Sequence, residues 1–161
     1  MRSADKNMRK YKRIIFLDDE GTGLSPYADI LLTHRLRERN IEDLEVLSRG
    51  IVVLFPEPAN QKIAELAKMK GLSLEDYQAV QLDGTEFADS TLILTFHAYG
   101  KQKVYDSFPN ALNVYTFREY VGEIGDITLP LGGSLAEYQA VCAVVDRVIE
   151  RLLDIIQEEM I

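Results

Sequence analysis

The chain has 161 residues and carries 26 acids against 18 Lys and Arg, a formal charge of −8. That length suits one domain with a real core, and the charge argues against a nucleic-acid or anionic-membrane surface, since those partners demand clustered Lys and Arg. No apolar run approaches transmembrane length, no signal peptide precedes the first apolar run, and the single cysteine, Cys142, leaves no intramolecular disulfide and fits a reducing cytoplasm.

Taken in order, the chain opens on a basic stretch: Arg2, Lys6, Arg9, Lys10, Lys12 and Arg13 stand against one acid, Asp5. Residues 1–12 are expected to be a flexible leader before a single domain over residues 13–161. Arg13–Leu17, reading Ile-Ile-Phe-Leu after the arginine, suits a strand covered on both faces. Ser25 is a natural N-cap and Pro26 a natural first helical residue, and Ala28, Leu31, Leu32 and Leu36 repeat at helical spacing toward an end near Asn40. Leu44–Leu47 predicts a second strand, which the apolar run Ile51–Phe55 could extend. Pro56 and Pro58 mark a loop, and Ala59, Ile63, Leu66 and Ala67 predict a helix that Gly71 ends.

Ser73 to Val80 predicts a short helix, Thr91–Phe96 a third strand, Ala98–Ser107 a helix and Leu112–Tyr115 a fourth strand. The stretch from Gly122 to Gly133 reads as a loop long enough to be functional. Ser134-Leu-Ala-Glu137 has the form of a capping box, opening a helix whose stripe is Tyr138, Val141, Val145, Val148, Leu152 and Ile155. This alternation predicts an α/β fold with a parallel sheet and helices on both faces. Sites in such sheets lie beyond the carboxyl ends of the strands. Asp18 to Ser25, the loop after Phe96, and the Gly122–Gly133 loop all fall there.

The sharpest feature is the first of these loops. A strand running through glycines into a helix N-terminus is a ready anion site. Here it holds three consecutive acids, Asp18, Asp19 and Glu20, followed by Gly21, Thr22, Gly23, Leu24 and Ser25. Acids near a helix start stabilise it, and Asp18 can accept hydrogen bonds from loop N–H groups that would otherwise cradle an anion. His97 follows the third strand and can line the same pocket, whereas His34 lies on a surface-leaning helix. Cys142, on the last helix, reads as a core or near-core thiol.

Together these marks resemble the low-molecular-weight protein tyrosine phosphatase family. The marks are a first strand entering a glycine loop closed by Leu24-Ser25-Pro26, Ser48-Arg-Gly50 after the second strand, and Asp89 through Thr95 at the third. Asp126-Ile-Thr-Leu-Pro-Leu-Gly132 resembles the acid loop, ahead of a long helix with an early tyrosine. The resemblance implies a three-layer α/β/α sandwich on a four-stranded parallel sheet of flavodoxin-like type. It also implies that Asp18 stands at the position of the attacking cysteine, Leu24 at the phosphate-gripping arginine and Leu129 at the aspartic acid that protonates the leaving group. A carboxylate is no thiolate, leucine cannot grip two oxygens at once, and leucine has no proton to give.

The implied protein is thus a pseudophosphatase without a cofactor, acting by binding a protein partner or small ligand or by pairing as a homodimer. Its pocket would be Asp18, Asp19, Glu20, Gly21, Thr22, Gly23, Leu24, Ser25, His97, Asp126 and Leu129. The alternative is an enzyme of altered chemistry in which Asp18-Asp19-Glu20 hold a divalent metal. Leu17-Asp-Asp-Glu20 also resembles the start of a response-regulator receiver domain, although Phe96-His97 follows Thr95 where a receiver carries its phospho-accepting aspartate.

Overall fold

The computed structural model describes residues 9–159. Four strands, β1 (Arg13–Asp18), β2 (Glu45–Gly50), β3 (Thr91–Thr95) and β4 (Val114–Thr116), form one parallel sheet in the order β2-β1-β3-β4. The helices are α1 (Leu24–Glu38), α2 (Gln61–Met69), α3 (Ala98–Ser107), the short α4 (Phe117–Tyr120) and α5 (Leu135–Glu159). β1 is central, with its run Ile14–Leu17 wholly buried. Its residues alternate between two cores, as strand geometry requires. Ile14 and Phe16 join Leu92 and Leu94 under α1, α2 and α5. Ile15 and Leu17 join Ile93, Val114 and Val104 of α3 on the other face. Phe16 stacks on Phe96 and meets Phe117 edge-on, an aromatic knot directly beneath the carboxyl end of the sheet.

The α/β/α sandwich matches the expected fold class. α3 spans the predicted residues, and the capping box at the start of α5 is present, with Glu137 N–H donating to Ser134 Oγ and Ser134 N–H to Glu137 Oε1. The stripe of α5 is rotated slightly from the predicted one: Cys142, Ile149, Leu153 and Ile156 are buried with Tyr138, Val145, Val148 and Leu152, whereas Val141 and Ile155 lie at its edge.

Four local readings need correction. β2 runs to Gly50, not Leu47, because its backbone pairs along the whole of β1, with Gly50 opposite Asp18. Residues 73–80 form no helix. Their Ser73 cap reaches only Glu75 N–H, and the backbone beyond is taken up by other segments, with Ala79 N–H donating to Glu57 O and Val80 O accepting from Gly50. Val52, Leu54 and Phe55 do not extend β2 into the core but stand exposed. β4 begins two residues late, after Asn113 takes a left-handed φ of 58°. α4, which is not among the expected elements, opens on a second capping box formed by Thr116 and Glu119.

Part of the expected leader, residues 1–8, lies outside the described residues. From Arg9 the chain is tied to the domain: Arg9 pairs with Asp43 at 2.8 Å, Tyr11 is buried, and Lys12 N–H donates to Ser90 O.

Candidate functional site

The loop between β1 and α1 closes around the Asp18 side chain. Gly21 N–H donates to one carboxylate oxygen, and Gly23 N–H and Ser25 N–H donate to the other, both at 3.0 Å. Ser25 is therefore not the N-cap. It is the second residue of α1, which begins after Gly23 without a side-chain cap of its own, and Asp18 caps it from five to seven residues upstream. Burial pushes the Asp18 carboxyl above the usual carboxylate range, against the pull of the Ser25, Gly23 and Gly21 donors.

The loop is braced from behind. Ser48 Oγ, in the carboxyl half of β2, donates to Ser25 Oγ at 2.9 Å, and Tyr77 Oη lies 2.9 Å from Ser48 and donates to the Gly21 carbonyl. Gly21 adopts φ +76°, a left-handed conformation that glycine enters without strain. Gly50 packs so close to the loop that a β-carbon there would lie 2.6 Å from Glu20 C and Gly21 N. Both glycines are thus needed for the loop to reach its place against β2. The Tyr77 hydroxyl, half-buried behind the loop, is pushed up to about 12 by desolvation.

In front of the loop is a cleft of about 180 Å³. Asp18, Asp19, Glu20, Thr22, Gly23, Leu24, His97 and Leu129 line it, as do residues not foreseen: Asn60, Phe96, Ile127, Thr128 and Leu131. Leu129 covers the loop closely, its Cδ2 lying 2.8 Å from where a β-carbon on residue 23 would sit. Leu24 is buried and belongs to the core beneath. Gly21 and Ser25 sit behind the cleft instead of lining it. Asp126 is exposed and turned aside, where it accepts from Ala98 N–H at the start of α3, while Ile127 N–H donates to Phe96 O and pins the Gly122–Gly133 loop to the sheet end.

The three acids diverge. Asp18 points into the loop, Asp19 faces His97 Nε2 at 3.4 Å, and Glu20 is exposed. His97 Nδ1 accepts from Gly100 N–H at 2.9 Å, which leaves the proton on Nε2, toward Asp19. Among the described residues no group of three His, Cys, Asp or Glu side chains converges as a metal site. His34 is exposed and pairs with Glu38. Cys142 is buried on α5, and burial, aided by Asp146, pushes its thiol up to about 12. Burial and a raised thiol both disfavour the thiolate that nucleophilic attack needs.

The fold, loop and cleft invite comparison with known proteins, and the model of the low molecular weight phosphotyrosine protein phosphatase family matches residues 13–161. The chain belongs to this family. It is 30% identical over 127 residues to the low molecular weight protein-tyrosine-phosphatase PtpB of Staphylococcus haemolyticus, covering 79% of this chain and 87% of that protein. It is 28% identical over 149 residues to a protein-arginine-phosphatase of Geobacillus stearothermophilus, covering 91% and 97%. Among solved structures, the YwlE arginine phosphatase from Geobacillus stearothermophilus superposes with a TM-score of 0.82 at 27% identity, covering 92% of this chain and 94% of that one. Among the described residues, no helix is long and apolar enough to cross a membrane.

One titratable group behind the site has a measurable consequence. Asp29, on the second turn of α1, is pushed up to about 6 by burial, against the Thr33 hydroxyl and the Arg49 guanidinium. The fold therefore favours its protonated form. Below about pH 3.9, where the unfolded carboxyl is also protonated, this contribution is fully present, and it is lost as pH rises from there through about 6. Asp18 acts in the same direction. Asp29→Asn is expected to remove about 1–3 kcal/mol of the stability loss between pH 4 and 7. Urea midpoints measured across that window check it; a variant whose midpoint falls as steeply as the wild type's would contradict the assignment.

Proposed function

We propose that this chain is a catalytically inactive member of its family, a pseudophosphatase of a reducing, cytoplasmic compartment that works as a binding or regulatory module. Asp18, Leu24 and Leu129 stand where the family carries its cysteine, arginine and aspartic acid. The carrying observation is the hydrogen bonding of Asp18: its carboxylate takes the N–H groups of Gly21, Gly23 and Ser25 that a phosphate would need. The chain thus holds its own anion in the cradle, and Leu129 lies over it. Loss of one member of a catalytic unit costs about three to six orders of magnitude, and further losses do not add. The relatives named above are a protein-tyrosine-phosphatase and a protein-arginine-phosphatase, so both phosphomonoester and phosphoarginine substrates belong in the test.

The metal-enzyme alternative gains no support from the geometry, because Asp18 turns into the loop, Asp19 faces His97, Glu20 is exposed, and no three such side chains converge among the described residues. Assays with p-nitrophenyl phosphate and a phosphoarginine peptide are expected to give no turnover above buffer for the protein or for Asp18→Ala. Steady turnover that Asp18→Ala abolishes would overturn the proposal.

A further inference from the structure

Asp19 and Glu20 form a ridge shared by two hollows. On the side away from the loop lies a larger groove of about 410 Å³, whose other lining residues include Val52, Leu54, Phe55, Glu57, Tyr99 and Lys103. The backbone of its wall is fixed, with Val52 N–H donating to Asp19 O at 2.9 Å and Val53 N–H to Gln81 Oε1 at 2.8 Å. Its side chains nevertheless face water: Leu54 is 81% exposed, Phe55 67% and Tyr99 70%.

Exposed apolar residues scattered singly need no explanation, but three large ones around one groove mark an interaction surface. The groove's rim is acidic, with Asp19, Glu20 and Glu57 against Lys103. A second copy of a chain with charge −8 would set acid against acid. Charge complementarity selects a cationic partner instead. Cations also gain here from stacking, since Phe55 and Tyr99 offer aromatic faces.

We propose that this groove docks a segment of a partner protein in which an arginine or lysine adjoins a large apolar side chain. The cation rests on the Asp19, Glu20 and Glu57 carboxylates, and the apolar neighbour lies against Leu54, Phe55 and Tyr99. This rests on the binding-module reading and names the chemistry of its partner. The two fail separately, because phosphatase turnover would end that reading whatever the groove binds, whereas the following test involves no catalysis.

A phage-displayed random dodecapeptide library is panned against the full chain, and enriched sequences are made as fluorescent peptides for anisotropy. The expected consensus pairs Arg or Lys with Leu, Phe, Tyr or Trp. Binding should weaken at least about tenfold in the double variant Leu54→Ser/Phe55→Ser and in Asp19→Asn/Glu20→Gln, with both variants melting where the wild type melts. No enrichment, an acidic consensus, or binding indifferent to either double variant would overturn the proposal. So would sedimentation showing a dimer that Leu54→Ser/Phe55→Ser dissolves, since a second copy would then own the groove.

Discussion

Asp18→Ala is expected to destabilise the fold by about 2–4 kcal/mol and, at the same time, to turn phosphate into a stabilising ligand. Three backbone donors, those of Gly21, Gly23 and Ser25, end on this one carboxylate. Leaving a buried donor unsatisfied costs about 1–3 kcal/mol. The sum is smaller than three such costs, because the open cleft admits water and because removing a carboxyl that burial already disfavours gives something back. Asn is no substitute: its amide has one accepting oxygen, so it can satisfy either Gly21 or the Gly23 and Ser25 pair, and it turns an NH₂ toward the remainder.

Removing the carboxylate leaves N–H groups converging on a void at the start of α1, the arrangement that binds anions at helix N-termini. Without an arginine to clamp it, phosphate should bind weakly, so concentrations of tens of millimolar are appropriate. At tenfold over Kd the gain would be about 1.4 kcal/mol, a rise in Tm of about 3–6 °C for a domain of this size. Wild-type protein, its cradle filled by Asp18, should show no such shift beyond that of an equal ionic strength of chloride. A phosphate-stabilised wild type, or an Asp18→Ala variant as stable as its parent, would show that the cradle is not occupied as described.

How much of this was legible beforehand depended on whether the deciding interaction was local. The β1–loop–α1 unit declares itself in one stretch of sequence, so the strand, the loop and the self-satisfying role of Asp18 were all readable from Ile14 to Ala28. The capping boxes at Ser134 and Thr116 are equally local, each closed within four residues. Residues 73–80 failed because their apparent cap was outweighed by hydrogen bonds to Glu57 and Gly50, distant in sequence. Val52–Phe55 failed for the opposite reason: an apolar run reads as buried strand, and nothing local says that this one faces water. Tyr77 gave no signal at all. Its function depends on Gly21 and Ser48, 56 and 29 residues away. Asp126 was expected at the pocket from its loop, yet its capping of α3 through Ala98 turns it away from the cleft.

On the proposed reading, the largest effect should come from restoring together the groups that Asp18, Leu24 and Leu129 replace. Asp18→Cys, Leu24→Arg and Leu129→Asp in one chain are expected to raise kcat/KM on p-nitrophenyl phosphate well above background, while each single change stays at background. The cradle is already built: its donors lie about one side-chain carboxylate from the end of β1, where a thiolate Sγ would sit one atom shorter and leave room for a phosphoryl group. Such a thiolate would be stabilised by the same N–H groups and the α1 terminus. Alone it would face Leu129, which packs on the loop at Gly23, and would have no group to hold the phosphoryl oxygens. Leu24→Arg alone would supply a clamp with no nucleophile to serve. Its guanidinium would also have to leave the buried position that Leu24 fills, which makes this change the most destabilising of the three. Leu129→Asp alone would open the cleft without chemistry to assist. Because members of a catalytic unit act together, only the triple variant completes nucleophile, clamp and acid. Turnover by Asp18→Cys alone would mean that Leu24 and Leu129 are not the block. An inert triple variant that still melts cooperatively and binds vanadate at the loop would mean that the braced cradle of Ser25, Ser48 and Tyr77 has drifted from catalytic geometry as well as from catalytic residues.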